Sequence, residues 1–433
     1  MTRSGLRSGW LLGGALGAAL AAAVAVRLAR GPDGAAGGAP PRAPARARAA
    51  RPPPDRWGGP LLPAPIVSRG RRVASRPRGG EVLVDGAYRT KAAWSGGHPS
   101  AAKPSRAAIE VGEGLDRILV SWTSSGNHDY RDRKYGAPAD YTLETSADST
   151  NGEDGTWRTA VTVKDNPVRT RAHAVDFAGR RWVRMSVTRL APEVFEWGLY
   201  LDEIDVHDLS GGGDDVWVFL GDSITSEVFD RAPPHQPSFP EAIAARHPGY
   251  FPAVVGAGTG SLRHGDAART VDEVLALNPD ARVVALCFGS NDWDPAAFRR
   301  DLVEVIGKVR AAGRIPVVPR TPFRSDSAID FAERLAAVVD QVNAELGLLP
   351  GPDLHAWFKA HPERLHDGLH PDEAGAKEMI RLWADAVAPL YPPPPLRGAG
   401  PPSPPLRGAG APPGSPGGAR PEAPPVGAAA PAR

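Results

Sequence analysis

Two central segments of the chain carry different patterns of hydrophobic and polar positions. Residues 81–209 alternate apolar and polar side chains over short stretches that are separated by Gly, Asn, Asp and Pro. This alternation is typical of strands that bury one face, and short strands at even spacing predict a β-sandwich. The alternating stretches are Asp116–Trp122, Tyr141–Ser146, Thr156–Val163 and Trp182–Val187.

From Val216 to Leu390 short apolar runs alternate with longer amphipathic stretches. This alternation of strands and helices predicts an α/β domain whose parallel sheet is covered by helices on both faces. The apolar runs predict strands near Val216–Leu220, Ala253–Val255, Arg282–Phe288 and Ile315–Pro319. The amphipathic stretches predict helices near Phe239–Arg246, Thr270–Leu277, Pro295–Ala312, Ala328–Leu346 and Asp372–Val387.

The two ends of the chain lack both patterns. Within residues 1–30, Arg3 and Arg7 precede an uncharged apolar run from Trp10 to Val26. This arrangement predicts export through a signal peptide or an uncleaved membrane anchor, and the sequence leaves both open. Residues 31–80 are rich in Pro, Ala, Gly and Arg, and residues 391–433 repeat a Pro-Pro-Leu-Arg-Gly-Ala-Gly segment. Both compositions predict disordered segments.

Charge and cysteine content narrow the classes of partner. The net charge of +2 conceals 14 Arg and only two Asp within residues 1–80. A basic segment beside an apolar run suits an anionic membrane surface, and it is accompanied by no zinc-finger or RNA-binding motif. We therefore expect no nucleic-acid partner. The single cysteine, Cys287, lies in an apolar run and is expected to be a buried core residue.

Four short motifs follow the predicted strands or precede the last helix of the α/β segment. Ligands of open α/β sheets bind at the carboxyl ends of the strands, so these motifs should meet at one edge. The motifs are Gly221-Asp222-Ser223, Gly256-Ala257-Gly258-Thr259-Gly260, Gly289-Ser290-Asn291-Asp292 and Asp367-Gly368-Leu369-His370. In this order, and over residues 216–390, they resemble the motifs of the SGNH (GDSL-type) hydrolase superfamily.

The resemblance implies a three-layer α/β/α flavodoxin-like fold and a serine esterase that uses no cofactor. It makes Ser223 the nucleophile, His370 its base and Asp367 the carboxylate that orients the imidazole. The chemistry requires the same division of roles, because a serine hydroxyl is a weak nucleophile until a base accepts its proton.

The resemblance also implies three hydrogen-bond donors for the oxyanion of the tetrahedral intermediate. They are the backbone N–H groups of Ser223 and Gly258 and the side-chain amide of Asn291. The second motif of the family usually reads Asn-x-Gly, whereas Gly256 occupies the position of that Asn here. Gly260 therefore stays open as the alternative to Gly258.

Four stretches of the sandwich segment carry a second resemblance: Asp140–Ser146, Thr156–Arg158, Arg181–Met185 and Leu201–Val206. Their sequences resemble those of the discoidin-like, galactose-binding β-sandwich. Such domains bind sugars or lipid headgroups through loops, which makes Trp94, Tyr130 and Tyr135 contact candidates if they are exposed. A sandwich Trp is more often a core residue, so the sequence assigns none of them firmly.

Other polar residues are given structural roles. His366 and His370 are four residues apart, as helical metal ligands are, but Gly368 and Pro371 argue against a helix there. We expect no metal. A hydrogen-bonded or exposed role is expected for His235, His264 and His355. The Gly-x-Ser-x-Gly motif of α/β-hydrolases does not surround Ser223, which disfavours that fold.

The expected activity is hydrolysis of small acyl esters, with acetylated extracellular carbohydrate as the natural target. The carbohydrate rests on analogy with the sandwich. An O-acetyltransferase, a lipase or a thioesterase with the same triad stays open, and so does a non-catalytic glycan-binding surface protein. The presence of Ser223, Asn291, Asp367 and His370 argues against the non-catalytic alternative.

Overall fold

The computed structural model describes residues 60–86, 93–124, 136–191, 198–229, 238–326 and 329–392. The predicted export segment (residues 1–30) and all but the first two residues of the predicted tail (residues 391–433) lie outside these ranges. No helix in these ranges is long and apolar enough to cross a membrane.

The amino-terminal half of the described chain is a β-sandwich, as its period-two pattern predicts. One sheet has the strand order β1-β3-β8-β5-β6 and the other β2-β9-β4-β7, and all neighbours are antiparallel. The strands are β1 (Val73–Arg76), β2 (Trp94–Gly97), β3 (Ser105–Glu110), β4 (Arg117–Ser124), β5 (Pro138–Ser146), β6 (Arg158–Val163), β7 (Thr170–Asp176), β8 (Trp182–Leu190) and β9 (Leu199–Asp208).

The sandwich core forms because alternate side chains of each strand turn inward. On β4, Ile118, Val120 and Trp122 are buried in this core, and the Trp122 ring meets the Tyr141 ring edge-on at 5.4 Å. Trp94 is 2% exposed and donates its Nε1 hydrogen to Pro77 O at 3.0 Å. Trp94 is therefore a core residue, the role that the sequence favours for a sandwich Trp, and it is no longer a candidate ligand contact. Tyr130 and Tyr135 lie outside the described residues.

The carboxyl-terminal half is the predicted α/β domain. Its five parallel strands have the order β11-β10-β12-β13-β14. The strands are β10 (Val216–Gly221), β11 (Ala253–Gly258), β12 (Val283–Cys287), β13 (Ile315–Arg320) and β14 (Pro350–Asp353). The helices are α1 (Ser223–Phe229), α2 (Phe239–Arg246), α3 (His264–Leu277), α4 (Pro295–Ala311), α5 (Ile329–Leu346), α6 (Leu354–Ala360) and α7 (Glu373–Ala386).

The helices cover both faces of the parallel sheet, which gives three layers. Helices α3, α4 and α5 pack on one face through a cluster that includes Val271, Val305 and Val339. Helices α1, α2, α6 and α7 pack on the other face, where the cluster includes Trp383 and Cys287. Cys287 is buried and unpaired, as expected from its apolar surroundings.

The predicted linker (residues 31–80) is too long, because residues 60–80 belong to the fold. Strand β1 pairs with β3, and Ile66 forms a bridge to His207. The Arg-rich composition concealed a strand, and two of its arginines form ion pairs on the surface of the fold. Arg72, directly before β1, binds Glu110 at 2.7 Å, and Arg76 at the end of β1 binds Glu153.

The outer face of the β2-β9-β4-β7 sheet packs against the α/β domain. Leu119 of β4 and Ala172 of β7 are buried in the same apolar cluster as Val255 of the edge strand β11. At one end of this contact, Arg117 pairs with Asp280 at 3.3 Å, and Asp280 accepts the Ala174 N–H at 3.2 Å. One apolar cluster therefore extends from the sandwich into the α/β domain.

A buried carboxyl group in the α/β domain should make stability fall as pH rises. Asp215 Oδ1 accepts hydrogen bonds from Trp217 Nε1 at 2.9 Å and Tyr391 Oη at 3.2 Å. Burial raises the pKa of Asp215 from the ordinary 3.8 to about 8. Between these values the unfolded chain releases a proton that the folded chain keeps, so this stabilisation is complete below pH 4 and is lost as pH rises through 8.

Asp215→Asn, which keeps the shape and stays neutral, should therefore flatten the pH dependence of the unfolding free energy. Relative to that of the wild type, the unfolding free energy of the variant should increase by several kcal/mol, as an order of magnitude, from pH 5 to pH 9. Urea denaturation at both pH values measures this, with Asp330→Asn, an exposed carboxylate on α5, as the control. Parallel curves for Asp215→Asn and the wild type would contradict a buried, protonated Asp215.

Candidate active site

The loop between β10 and α1 presents Ser223 at the carboxyl edge of the parallel sheet. Gly221 ends β10 where a Cβ atom would lie 2.0 Å from Thr225 Oγ1 and 2.5 Å from Cys287 O, so no larger residue fits. Asp222 is buried and its Oδ1 accepts the Ile224 N–H at 3.1 Å, which orients the start of α1. Burial raises the pKa of Asp222 to about 6. Ser223 itself stays partly exposed.

Ser223, His370 and Asp367 form one hydrogen-bonded chain. Ser223 Oγ lies 2.9 Å from His370 Nε2, and His370 Nδ1 lies 2.7 Å from Asp367 Oδ2. Asp367 and His370 lie in the turn before α7, where Gly368 adopts φ +83°. Ser325 N–H holds this turn through Gly368 O at 2.8 Å.

The surroundings of Asp367 keep it ionised. Partial burial opposes its charge, but hydrogen bonds from the His370 N–H at 2.7 Å, the His370 ring and the Leu369 N–H at 3.0 Å lower the pKa of Asp367 to about 2. A charged carboxylate can only accept, so it holds the proton of His370 on Nδ1. Nε2 is then free to accept the hydroxyl proton of Ser223.

The two predicted oxyanion donors other than Ser223 lie at the ends of the strands that flank β10, since Gly258 of β11 and Cys287 of β12 both pair with Gly221. A Cβ atom at Gly258 would lie 2.2 Å from Ser226 N, so the end of β11 lies in backbone contact with α1. This contact favours Gly258 over Gly260, which lies two residues further along the loop. Asn291 follows β12, and its Nδ2 donates to Leu262 O at 3.2 Å, which fixes the orientation of the amide.

A buried pair that sequence reasoning assigned no functional role joins the loops that follow β11 and β12. His264 is 1% exposed, and its Nδ1 and backbone N–H lie 3.4 Å from Asp292 Oδ2. The His264 ring packs edge-on against Phe298 at 4.2 Å, and burial lowers the pKa of His264. Because Asp292 follows Asn291 directly, this pair supports the loop that carries the amide donor. The adjacency of Asp292 to Asn291 was the only signal available in the sequence.

The other histidines that the sequence singles out are His235, His355 and His366. His355 is buried, and its ring meets Phe323 edge-on at 5.6 Å. His366, Asp367 and His370 place potential ligand atoms within 4.8 Å of one another, so the Asp367 carboxylate lies beside the two histidines. The two ring nitrogens of His370 already bond to Ser223 and Asp367, however, so a metal would have to displace these hydrogen bonds. His235 lies outside the described residues.

Comparison with known proteins identifies the α/β half. Residues 219–378 match the GDSL-like Lipase/Acylhydrolase family. Solved structures with similarity include TesA, at 20% identity over 40% of this chain and 99% of that chain, with a TM-score of 0.36. They also include the acetylxylan esterase Axe2 from Geobacillus stearothermophilus, at 20% identity over 41% of this chain and 94% of that chain, with a TM-score of 0.33. No curated protein sequence matches the chain.

The sandwich half also has similar solved structures. Chitosan-binding module 1 of a chitosanase/glucanase from Paenibacillus sp. IK-5 is similar at 17% identity over 33% of this chain and 98% of that chain, with a TM-score of 0.25.

The family match of residues 219–378 confirms the predicted SGNH (GDSL-type) hydrolase domain. This domain is that of a serine ester hydrolase.

An alanine at position 291 should reduce turnover more than substrate binding. An oxyanion donor acts when negative charge develops in the transition state, and its loss typically costs about 10²–10³ in kcat. We expect Asn291→Ala to show this fall with KM changed little on p-nitrophenyl acetate. The control is Asn343→Ala on α5, since Asn343 Nδ2 likewise donates to a backbone carbonyl, Val318 O, at 3.3 Å. A raised KM with unchanged kcat would make Asn291 a ground-state contact instead.

Proposed function

Because residues 219–378 form a GDSL-like hydrolase domain, we propose that the chain is an exported serine esterase that removes small acyl groups, acetyl foremost, from carbohydrate. The observation that carries the proposal is the hydrogen-bonded chain from Ser223 Oγ to His370 (2.9 Å) and from His370 to Asp367 (2.7 Å). It lies at the carboxyl edge of the parallel sheet, where ligands of open α/β folds bind.

In the first half-reaction, Ser223 Oγ attacks the acyl carbon while His370 Nε2 accepts the hydroxyl proton. The tetrahedral intermediate collapses when His370 returns that proton to the leaving alcohol oxygen, which leaves the acyl group on Ser223. Water then attacks the acyl carbon while His370 Nε2 accepts a proton from it, and the second intermediate collapses when the bond to Ser223 Oγ breaks and His370 returns the proton to that oxygen. A carboxylic acid is released and the free serine is restored. Asp367 stays ionised throughout, in keeping with its pKa of about 2.

The oxyanion of both tetrahedral intermediates is assigned to three donors. They are the backbone N–H groups of Ser223 and Gly258 and the Nδ2 hydrogen of Asn291 that does not point at Leu262 O. The assignment is supported by the contact between Gly258 and α1 and by the buried His264–Asp292 pair behind Asn291. Donors fixed before reaction need no reorganisation when charge develops.

The carbohydrate part of the proposal is supported by the resemblance of residues 81–209 to galactose-binding sandwiches. Export is supported by Arg3, Arg7 and the apolar run from Trp10 to Val26, which suit a signal peptide or a membrane anchor. In either case the catalytic domain would act outside the cytoplasm.

Active-site labelling tests the esterase. A fluorophosphonate probe phosphonylates a serine that its own active site activates, so the native chain should be labelled at Ser223 and the heat-denatured chain should not. Mass spectrometry of the labelled peptide identifies the site. Product analysis on acetylated oligosaccharides, with and without an acceptor sugar, then separates hydrolysis from acyl transfer. An unlabelled but folded chain would overturn the proposal.

A further inference from the structure

One large aromatic side chain at the catalytic edge is turned toward solvent. Trp293 is 46% exposed, and among the residues that the structure describes only Leu62, at 45%, is a comparably exposed large hydrophobic side chain. Most of the tryptophans that the structure describes are buried in its cores, as Trp122, Trp217 and Trp383 are. An exposed indole beside a site is therefore informative, because burying it against a ligand would remove apolar surface from water.

The position of Trp293 links it to both halves of the catalytic site. It lies two residues after Asn291, in the loop between β12 and α4. The Arg324 guanidinium lies 5.4 Å from the centre of the Trp293 ring and donates to Ser290 O at 2.8 Å. The next residue, Ser325, holds the Asp367–His370 turn through Gly368 O. Trp293 thus lies at the rim of the site, on the side of β12 and β13.

The indole is supported rather than loosely attached. The Phe331 ring meets it edge-on at 5.4 Å with an angle of 81° between the planes. The Arg324 guanidinium forms a fork with the Asp326 carboxylate, which fixes its place beside the ring. Directly after Trp293, Asp294 caps α4 by accepting the Ala296 N–H at 2.9 Å. A ring held from several sides loses little entropy when a ligand stacks on it.

The chemistry of this surface fits a sugar ring better than an acyl chain. A pyranose has an apolar C–H face and hydroxyl groups around its edge, which match an aromatic face with polar neighbours such as Asn291, Arg324 and Asp294. An acyl chain gains most from an enclosed apolar slot. We propose that Trp293 stacks on the sugar ring that carries the ester, so that it determines specificity for the alcohol part of the substrate.

This inference rests on the proposed esterase activity and adds the subsite for its alcohol group. Stacking on a part of the substrate that does not react contributes equally to the ground state and the transition state. Its loss should therefore raise KM and leave kcat nearly unchanged. Loss of the aromatic stacking and of the apolar area that it buries should raise KM about tenfold.

The test compares Trp293→Ala and Trp293→Phe with Leu62→Ala, which removes an equally exposed hydrophobic side chain elsewhere. The substrates are a partially acetylated xylo-oligosaccharide, vinyl acetate and vinyl hexanoate. We expect Trp293→Ala to raise KM about tenfold on the oligosaccharide alone, Trp293→Phe to recover much of this loss, and Leu62→Ala to match the wild type. Calorimetric titration of the oligosaccharide into Ser223→Ala and Ser223→Ala/Trp293→Ala measures binding without turnover.

Each other outcome counts against the subsite. Equal losses on all three substrates would mean that Trp293 only supports the Asn291 loop. A changed preference between acetate and hexanoate would place the acyl chain on the indole. Equal calorimetric affinity with and without Trp293 would also overturn the inference. Failure of the esterase proposal is distinguishable, because the wild type would then hydrolyse none of the esters and its Ser223 would stay unlabelled.

Discussion

Replacement of Ser223 by alanine should reduce ester hydrolysis by roughly 10⁴–10⁶-fold and leave the fold intact. The loss is large because His370 and Asp367 act through the serine oxygen, so the remaining residues have no nucleophile to activate. The fold should persist because Ser223 is partly exposed and its hydroxyl is hydrogen-bonded to the His370 ring, at 2.9 Å. The backbone of α1 is held instead by Asp222, whose carboxylate accepts the Ile224 N–H.

Steady-state hydrolysis of p-nitrophenyl acetate by purified Ser223→Ala, together with its melting curve, measures both parts of this prediction. Ser226→Ala is a matched control on the same helix, since the Ser226 hydroxyl is buried and has no hydrogen-bond partner among the described residues. We expect the control to keep nearly full activity. Near-native turnover by a folded Ser223→Ala variant would show that the triad assignment is wrong.

The catalytic edge could be predicted from the sequence because each motif directly follows an apolar run or precedes a helix. Parallel strands bring their carboxyl ends together, so Ser223, Gly258 and Asn291 had to lie near one another once the strands were identified. Strand β14 could not be identified in this way. Its sequence, Pro350-Gly351-Pro352-Asp353, has low strand propensity, and it forms only at the edge of the sheet next to β13.

Contacts that depend on three-dimensional proximity gave no local signal. His264 and Asp292 are 28 residues apart in sequence, and their pairing exists only because two strand-end loops meet. Aromatic residues are ambiguous for the same reason. The sequence does not show which of Trp94 and Trp293 is buried, yet Trp94 is 2% exposed in the sandwich core and Trp293 is 46% exposed at the catalytic edge. The face on which a side chain lies is decided by the packing of its neighbours.

The change of pattern near residue 210 correctly separates two architectures, but it does not make them independent. Leu119 and Ala172 of the sandwich lie in the same buried cluster as Val255 of β11. On the other face of the α/β domain, Leu61 is 1% exposed and its N–H donates to Leu390 O at 3.1 Å. Residues that precede Val216 therefore cover apolar surface on two sides of the hydrolase domain.

A chain that begins at Ser210 should consequently fail to form a stable hydrolase domain and should lose activity on small and polymeric esters alike. Its truncation would expose Val255 and neighbouring apolar side chains of β11 to water.

In the full chain, Ala172→Asp should destabilise the fold by about 3–5 kcal/mol, because Ala172 is 3% exposed and a carboxylate there would be buried without a partner. Ala160→Asp, at an exposed position of β6, is the control and should change the unfolding free energy by less than about 0.5 kcal/mol.

Urea denaturation of the two variants, and activity of the truncated chain on p-nitrophenyl acetate and on acetylated polysaccharide, separate a structural role of the sandwich from a targeting role. Loss of both activities with unfolding would assign the shared core to stability. A truncated chain that melts cooperatively and keeps full activity on the small ester would show that the sandwich is dispensable for folding. A loss confined to the polysaccharide would then arise from substrate capture, since a polymer held by the sandwich has a raised local concentration at Ser223.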